Sequence, residues 1–359
     1  MDLRPGEDAD DVRSAIERVV SSGWFVLGPE VEAFEAEFAS ASGAAHAVGV
    51  ASGTDAIALL LRAAGIGRGD EVIVPAITAT YTALAVIEAG GIPVIADVDP
   101  DTLTLDPAAC AAAVTTRTHA IVPVHLYGQP ADLDGIGRVA ARHGLLVVED
   151  CCQAHLATHG GVPVGTTTAG GAFSFYPTKN LGALGDGGAV ITNDAALAAR
   201  VRRLRNGGQA AHYVHVERGV NSRLDELQAA ILRSRLPRLA DWTLRRRVLA
   251  AQYRRLLPAT AAPVRERDAG HVYHLFPIRS SSRDPLRAHL FEAGVETLIH
   301  YPVPLHEQPV LVEYGARECP VAARVTRELL SLPLRPQLTD AAISRVADAV
   351  AAFERTLPA

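Results

Sequence analysis

Short apolar runs alternate with amphipathic segments between about residue 46 and residue 192. Most of the runs are rich in valine and isoleucine and have the length of a strand: 71–75, 92–97, 120–124, 145–150, 171–175 and 188–192. Segments with helical spacing of apolar residues lie between several of them: 78–89, 107–115 and 132–143. Because the runs are continuously apolar, the sheet should be buried on both faces, as parallel strands covered by helices are. We therefore predict an α/β fold with a large, mostly parallel sheet flanked by helices.

The pattern changes in the second half of the chain. Residues 222–257 form one long helical stretch that is interrupted at Pro237, since proline cannot continue a regular helix. Beyond this stretch we predict a strand followed by three helices: 271–279, 284–293, 321–330 and 339–356. We accordingly divide the chain into a large domain with N-terminal helices, residues 1–237, and a smaller C-terminal α+β domain, residues 238–359.

The composition is that of an ordinary globular enzyme and argues against several classes of partner. Among 359 residues, 34 basic and 40 acidic side chains give a net charge of −6, which opposes nonspecific binding of nucleic acid. The N-terminus has no apolar signal core, and no apolar stretch of membrane-spanning length is free of charge or glycine. The four cysteines have neither disulfide-framework nor metal-site spacing: Cys110, Cys151, Cys152 and Cys319. We expect a cytoplasmic protein without a metal, a membrane partner or a nucleic-acid partner.

The run from Gly170 to Gly188 contains a single lysine, Lys179, among small and apolar residues. An ammonium group in such surroundings is poorly solvated, which favours the neutral amine and makes it a usable nucleophile. Nucleophilic lysines most often form an imine with a carbonyl compound, and pyridoxal phosphate is the commonest such compound. Ser174 and the glycines after the lysine would suit a phosphate group. The alternative is a lysine at a loop edge whose ammonium group reaches solvent.

A second segment could also bind a phosphate. Residues 48–61 read as a strand, a glycine turn and a helix, so that Ser52, Gly53 and Thr54 would present hydroxyl and N–H groups at a helix N-terminus. An ordinary helix cap without any ligand would have the same sequence, so this segment alone is weak evidence.

A third candidate is Asp150, which ends the apolar strand 145–150. Ligands of parallel sheets bind beyond the carboxyl ends of the strands, and an aspartate there could keep the nitrogen of a pyridine cofactor protonated. The alternative is an aspartate that caps the next segment. Gln153 and His155 follow and can reach the same crevice. Gln153 could bond the ring hydroxyl of the cofactor, whereas His155 could position substrate or cofactor, or satisfy backbone groups.

With these residues the chain resembles the DegT/DnrJ/EryC1/StrS aminotransferases, also called sugar aminotransferases. The resemblance covers nearly the whole chain, and its blocks follow the order of the family: 25–35, 123–132, 148–155, 173–188, 219–232, 300–306 and 330–336. The lysine block and the Asn-Ser-Arg-Leu-Asp-Glu-Leu-Gln block are the most specific. The resemblance implies a fold-type I enzyme that depends on pyridoxal phosphate and forms a homodimer, with each active site at the subunit interface.

The resemblance also implies roles for single residues. Lys179 is similar to the Schiff-base lysine that shuttles a proton, Asp150 to the partner of the pyridine nitrogen, and Gln153 to the residue near the ring hydroxyl. The family's phosphate positions are matched by Gly53, Thr54, Ser174 and, from the neighbouring subunit, Asn221.

One position departs from the family pattern. Many members carry an aromatic residue that stacks on the cofactor ring directly after the threonine that matches Thr78. Ala79 occupies that place here, and Tyr81 follows two residues later. We expect either that Tyr81 binds the cofactor ring instead or that the ring face is packed differently.

The resemblance is strongest to aminotransferases of deoxysugar pathways, which contribute amino sugars to antibiotic biosynthesis. It implies transfer of an amino group from glutamate, or alternatively glutamine, to a nucleotide-linked keto sugar such as a dTDP-3-keto-6-deoxyhexose. A cyclitol (inosose) aminotransferase would share every catalytic residue named above. A non-catalytic sensor of pyridoxal phosphate or nucleotide sugar is a further alternative. A related sugar dehydratase would carry histidine in place of Lys179.

Two further segments could contact the sugar or the nucleotide. Tyr213 and His215 precede Asn221, and His300 and Tyr301 lie in a proline-rich loop of the second domain. Packing or loop bonding would account for these residues equally well.

Overall fold

The computed structural model describes residues 4–315 and 317–356. Its strands are, in chain order, β1 (His46–Val50), β2 (Glu71–Pro75), β3 (Ile92–Ala96), β4 (Thr118–Ile121), β5 (Leu146–Asp150), β6 (Thr158–His159), β7 (Val162–Pro163), β8 (Gly170–Ser174), β9 (Gly188–Thr192), β10 (Gln209–Ala211), β11 (Val214–His215), β12 (Ala262–Pro263), β13 (Phe276–Arg279) and β14 (Leu329–Leu332). Its α-helices are α1 (Ala9–Ser22), α2 (Pro29–Ala41), α3 (Gly53–Ala63), α4 (Tyr81–Glu88), α5 (Pro107–Ala113), α6 (Leu133–His143), α7 (Ala195–Leu204), α8 (Glu226–Arg235), α9 (Leu239–Leu256), α10 (Arg283–Glu292), α11 (Pro320–Val325) and α12 (Asp340–Glu354).

Seven strands form the large sheet, in the order β1-β9-β8-β5-β4-β2-β3. The five strands from β8 to β3 are parallel, whereas β9 runs antiparallel to both of its neighbours. The predicted α/β fold with a mostly parallel sheet is therefore confirmed. Because β5 and β8 are parallel and adjacent, their last residues, Asp150 and Ser174, lie at the same edge of the sheet.

Helices cover the sheet because their apolar residues are buried against it. Helix α3 begins at Ser52, whose Oγ accepts a hydrogen bond from the Asp55 N–H at 3.1 Å, and its leucines are almost completely buried. Aromatic contacts join α2 to β8, since Phe38 packs edge-on against Phe173 with 5.2 Å between ring centroids. Burial of each such side chain contributes about 1.5–3 kcal/mol to the free energy of unfolding.

A smaller antiparallel sheet, β12-β13-β14, packs against α9, α10 and α12. Here the prediction of a helix at 321–330 is wrong in its second half, because α11 ends at Val325 and the next apolar residues form β14. Leu330 and Leu332 are buried in the sheet, and β14 pairs with β13. A short apolar run can form either a helix or a strand, and here the pairing with β13 makes it a strand. The predicted strand at 271–279 is shorter than expected, since only Phe276–Arg279 pairs.

The long helical stretch is interrupted where proline requires it. Pro237 lies in a 3₁₀ turn, Leu236–Arg238, between α8 and α9. The division into domains at residues 237 and 238 falls at this turn and stays a prediction. Within residues 4–315 and 317–356, no helix is both long and apolar enough to cross a bilayer.

Candidate active site

Asp150 is held at the carboxyl end of β5 by two hydrogen bonds. Its Oδ1 accepts from the Cys152 N–H at 3.0 Å, and its Oδ2 accepts from the Thr82 hydroxyl at 2.8 Å. The Asp150 residue is only 4% exposed, so little water competes for these bonds. Glu149, directly before it, bonds His125 instead, because successive side chains of a strand point to opposite faces.

Lys179 lies in the turn after β8, within electrostatic reach of Asp150. Its backbone N–H donates to the Tyr176 carbonyl at 2.8 Å, which closes the turn. Burial lowers the pKa of the Lys179 ammonium group, while Cys152 and Asp150 act in the opposite direction. The amine therefore loses its proton more easily than a lysine in water, which is the property that the sequence of this run indicated.

The start of α3 approaches the sheet more closely than a side chain would allow. A Cβ atom at Gly53 would lie 2.7 Å from both Cys152 Sγ and Ser174 Cβ. A Cβ atom at Gly188 would lie 2.2 Å from the Ser52 carbonyl oxygen. Two glycines thus allow the first turn of a helix, whose N–H groups lack partners within the helix, to lie against the end of β8 and the start of β9. We call this arrangement of Gly53, Gly188 and the first N–H groups of α3 the glycine cradle; free N–H groups at the start of a helix suit a phosphate group.

The Ser52 oxygen already serves the helix that follows it. Because Ser52 Oγ accepts the Asp55 N–H, the ordinary helix cap considered above is present, and the Ser52 hydroxyl hydrogen is still available to a phosphate oxygen. Asp55 is in turn held by the Ser222 hydroxyl at 2.7 Å, and Ser222 Oγ accepts from the Ala51 N–H. The residue after Asn221 therefore fixes the turn that precedes α3.

Gln153 lies at the centre of a second network. Its Oε1 accepts from the Tyr127 N–H at 2.6 Å, and its Nε2 donates to the Tyr301 hydroxyl at 2.9 Å. The Tyr127 hydroxyl donates to the His300 carbonyl, so this network joins the large sheet to the loop around residue 300. Burial raises the pKa of the Tyr301 phenol to about 12, so the phenol keeps its proton near neutral pH. One hydrogen of the Gln153 amide and the hydrogen of the Tyr301 hydroxyl stay available to a ligand.

His155 is placed in the core and not on the wall of the crevice. Its ring packs against Phe173 and Phe175, and it has no exposed surface. Burial lowers the pKa of His155 to about 3, and the charge of Lys179 acts in the same direction. Packing among aromatic rings, which the sequence did not indicate for this residue, accounts for its position.

The other sequence-predicted residues divide into two groups. His300 and Tyr301 come to the site: His300 Nδ1 bonds Ser331 Oγ at 2.9 Å, and burial together with the charge of Lys179 lowers the pKa of His300. The remaining ones are exposed in the single chain and do not join the networks around Lys179: Tyr81, Tyr213, His215 and Asn221.

Several residues of the site were not identified from the sequence. Thr82 bonds Asp150, and Asn180 bonds the Val272 carbonyl at 3.0 Å and approaches His274 Nδ1 at 3.3 Å. Burial lowers the pKa of His274 well below 6.5, and the charge of Lys179 acts in the same direction. Asn180 directly follows the lysine, which is the one local signal that could have drawn attention to it.

One buried cluster has side chains of the types that bind metals: His125, Glu149 and Cys151. The polar side-chain atoms of His125 and Glu149 are, however, already bonded within the protein. His125 Nδ1 accepts from the Ala131 N–H and its Nε2 bonds Glu149 Oε2 at 2.8 Å, while Glu149 also accepts from the Gly165 N–H and the Thr168 hydroxyl. The cluster is therefore a satisfied structural network.

Comparison with known proteins gives one consistent result. A model of the DegT/DnrJ/EryC1/StrS aminotransferase family matches residues 7–351. The erythromycin biosynthesis sensory transduction protein EryC1 of Saccharopolyspora erythraea is 51% identical over 341 residues, which cover 94% of this chain and 93% of that protein. The dTDP-3-amino-3,4,6-trideoxy-alpha-D-glucose transaminase of Streptomyces venezuelae is 49% identical over 354 residues, covering 97% and 92%.

Solved structures agree with these sequence matches. The crystal structure of DesV from S. venezuelae, in complex with a ketimine intermediate, has a TM-score of 0.94 at 47% identity and covers 98% of this chain and 96% of that one. The structure of 3-amino-5-hydroxybenzoic acid synthase has a TM-score of 0.92 at 30% identity and covers 98% of each chain.

Proposed function

This chain belongs to the DegT/DnrJ/EryC1/StrS aminotransferase family, and we propose that it transfers an amino group to a nucleotide-linked keto-deoxysugar. It is an aminotransferase that depends on pyridoxal phosphate. The observation that carries the proposal is the proximity of Lys179, whose burial favours the neutral amine, to the Asp150 carboxylate, which is near enough for its charge to act on the lysine. That pair supplies a movable proton and a fixed negative charge at the same site.

The residues of the cleft fit the cofactor. The glycine cradle at the start of α3 would hold the phosphate, through N–H groups near Gly53 and Thr54 and the hydroxyl of Ser174. Asp150 would bond the ring nitrogen, and the free amide hydrogen of Gln153 would reach the ring hydroxyl. Tyr81 at the first turn of α4 stays our candidate for contact with the ring face.

When bound, pyridoxal phosphate accepts the amino group of the donor and stabilises negative charge at the carbon that loses a proton. Lys179 would hold the cofactor, and its free amine would take up and return the proton of that carbon. Asp150 would keep the ring nitrogen protonated, because a negative charge beside that nitrogen stabilises its positive form. Gln153 is buried and Tyr301 is half-buried, which limits the access of water to this part of the site.

The proposed substrate class follows from the relatives. Three relatives at 45–49% identity bear names of transaminases or aminotransferases of dTDP- or UDP-linked sugars, and each alignment covers more than nine tenths of this chain. We propose a dTDP-3-keto-6-deoxyhexose as acceptor and glutamate as donor. One relative at 51% identity is named a sensory transduction protein, so a sensor that does not turn over is the second candidate.

We also propose a homodimer with shared sites. Asn221 is exposed in the single chain, and so are the apolar side chains of Trp24, Phe25 and Tyr213, at 57%, 48% and 79%. Exposed aromatic side chains of this size favour contact with a second subunit. In the dimer Asn221 would complete the phosphate site of the partner.

The test is a visible absorbance spectrum of the purified protein with pyridoxal phosphate, before and after addition of glutamate. We expect a yellow band that bleaches with glutamate and returns when a dTDP-3-keto-6-deoxyhexose is added. A band that glutamate and glutamine both leave unchanged would favour the sensor. Bleaching without recovery on any nucleotide sugar would confirm the donor half and contradict the proposed acceptor. No band at all would contradict the role of Lys179.

A further inference from the structure

Two threonines behind Asp150 form a short chain of hydroxyl groups. Thr82 Oγ1 lies 2.8 Å from Asp150 Oδ2, and Thr78 Oγ1 lies 3.0 Å from Thr82 Oγ1. Both threonines are buried, with 3% and 1% of their surface exposed for Thr78 and Thr82. Bonds in such a setting are strong, because water cannot replace either partner.

The direction of these bonds follows from the number of hydrogens. A carboxylate can only accept, so Thr82 donates its single hydroxyl hydrogen to Asp150. Thr82 has no second hydrogen, and Thr78 must therefore donate to the Thr82 oxygen. The chain runs one way, from Thr78 through Thr82 to Asp150, and each donation orients the next group.

The fold brings these three residues together from two separate segments of the chain. Thr78 follows β2 and Thr82 lies in the first turn of α4, whereas Asp150 ends β5, and β4 lies between β2 and β5 in the sheet. On its other side the Asp150 carboxylate is held by the Cys152 N–H. Both carboxylate oxygens are thus bonded, and rotation of the carboxylate is opposed from two sides.

We propose that Thr82, oriented by Thr78, is a positioning residue that fixes the Asp150 carboxylate for the ring nitrogen of pyridoxal phosphate. This inference rests on the proposed function. In this proposal Thr82 acts through Asp150, to which its hydroxyl is bonded. A misoriented carboxylate stabilises the protonated ring nitrogen less well, and the carbon that loses its proton is then less acidic. The effect should fall on the chemical step more than on substrate binding.

The test uses Thr82→Val, which keeps the branched shape of the side chain and removes the hydroxyl. We expect kcat to fall about tenfold to a hundredfold, since hydrogen bonds to charged groups have that worth, while KM for both substrates stays near the wild-type value. Independently of activity, the ¹⁵N NMR signal of bound cofactor labelled at the ring nitrogen should move toward the unprotonated position. The dissociation constant of the cofactor should rise.

Two further variants separate positioning from packing. Thr82→Ser restores the hydroxyl without the methyl group and should recover the nitrogen signal and most of kcat. Thr80→Val makes the same substitution two residues earlier, at a threonine whose side chain does not cap the helix, and should leave the signal unchanged. Thr78→Val removes the donor to Thr82 and should give a smaller loss than Thr82→Val.

Wild-type kcat and a wild-type nitrogen signal in Thr82→Val would overturn the proposal. So would a loss that Thr82→Ser fails to recover, because the methyl group and not the hydroxyl would then be responsible. If Thr82→Val does not fold, an unchanged nitrogen signal in Thr78→Val overturns it instead. Failure of the wild-type protein to bleach with glutamate contradicts the proposed function, whereas the nitrogen signals of the variants still decide the role of Thr82.

Discussion

Glu226 Oε1 accepts a hydrogen bond from the Gly28 N–H at 2.8 Å, although 198 residues separate the two in the chain. The same carboxylate accepts from the N–H groups of Val31 and Glu30, both at 2.9 Å. Three N–H groups at the start of α2, which have no partner within the helix, are satisfied by one buried side chain of α8. Two sequence blocks that drew attention separately, 25–35 and 219–232, are therefore parts of one structural unit.

We expect Glu226→Ala to lower the free energy of unfolding by about 2–4 kcal/mol, because it leaves three N–H groups at a buried helix end without their acceptor. Glu226→Gln keeps one acceptor oxygen and should lower the free energy of unfolding by a smaller amount. Urea unfolding monitored by circular dichroism measures the free energy of unfolding of both variants. The exposed replacement Glu17→Gln is the control and should stay within about 0.5 kcal/mol of wild type. Equal stability of Glu226→Ala and wild type would contradict this account of the helix cap.

Replacement of Lys179 tests the core of the mechanism. We expect Lys179→Ala to reduce transamination by at least about a thousandfold, because the amine that moves the proton is absent. The fold and noncovalent binding of the cofactor should persist, since the cradle and Asp150 are unchanged. Single-turnover absorbance measurements with glutamate check the rate, and circular dichroism checks the fold. Full activity in this variant would exclude the mechanism, whereas loss of the fold would move the role of Lys179 to stability.

The close approach of Ser52 to β9 makes Gly188 sensitive to substitution. Gly188→Ala would place a Cβ atom 2.2 Å from the Ser52 carbonyl, and backbone must shift to relieve the contact. We expect a loss of about 2–3 kcal/mol in stability and weaker binding of pyridoxal phosphate, because the start of α3 moves. In Gly137→Ala the same change falls on an exposed helical site with free space and should stabilise by about 0.5–1 kcal/mol. Normal cofactor affinity in Gly188→Ala would argue against the cradle.

Mixed dimers test whether the sites are shared. If Asn221 serves the site of the partner, a dimer of one Lys179→Ala chain and one Asn221→Ala chain keeps one intact site. Unfolding and refolding the two inactive variants together should then restore about a quarter of wild-type activity, because half of the dimers are mixed. Each variant refolded alone is the control. No recovery would indicate that Asn221 acts within its own chain or that the protein is not a dimer.

The buried histidines predict a dependence of stability on pH. Burial lowers the pKa of His155 and of His271 to about 3, from 6.5. Between these values the unfolded chain binds protons that the folded chain does not, so the free energy of unfolding falls as the pH decreases below about 6.5. Each histidine contributes a slope of up to about 1.4 kcal/mol per pH unit.

Urea unfolding between pH 7 and pH 5, at a constant concentration of pyridoxal phosphate, measures this slope. His155→Phe removes one titrating group. The slope of the free energy of unfolding against pH should therefore decrease by the contribution of one histidine, whatever the effect of the substitution on the stability at pH 7. A stability that does not change between pH 6.5 and pH 5 would contradict the burial of these two residues.

Much of the fold was predictable because it depends on local patterns. The apolar runs that became β2, β5 and β9 were identified because strands buried on both faces must be apolar throughout. The run that became β14 was wrongly assigned to a helix, since a short apolar segment suits either structure until a neighbour such as β13 pairs with it. Likewise, the hydrogen bonds of Gln153 with Tyr127 and Tyr301 join residues that are far apart in the chain, and no local sequence pattern predicts them.

The sequence by itself determined the α/β class, the apolar surroundings of Lys179 and the place of Asp150 at a strand end, because each depends on residue types within a few positions of one another. Only the tertiary structure decided what surrounds them. It placed Thr82 on Asp150, closed His155 into the aromatic core and left Asn221 exposed. Hydrogen bonds and desolvation depend on distances in space. In this sheet the strands are not arranged in chain order, so these distances follow from the order of the strands in the sheet and not from the order of the residues in the sequence.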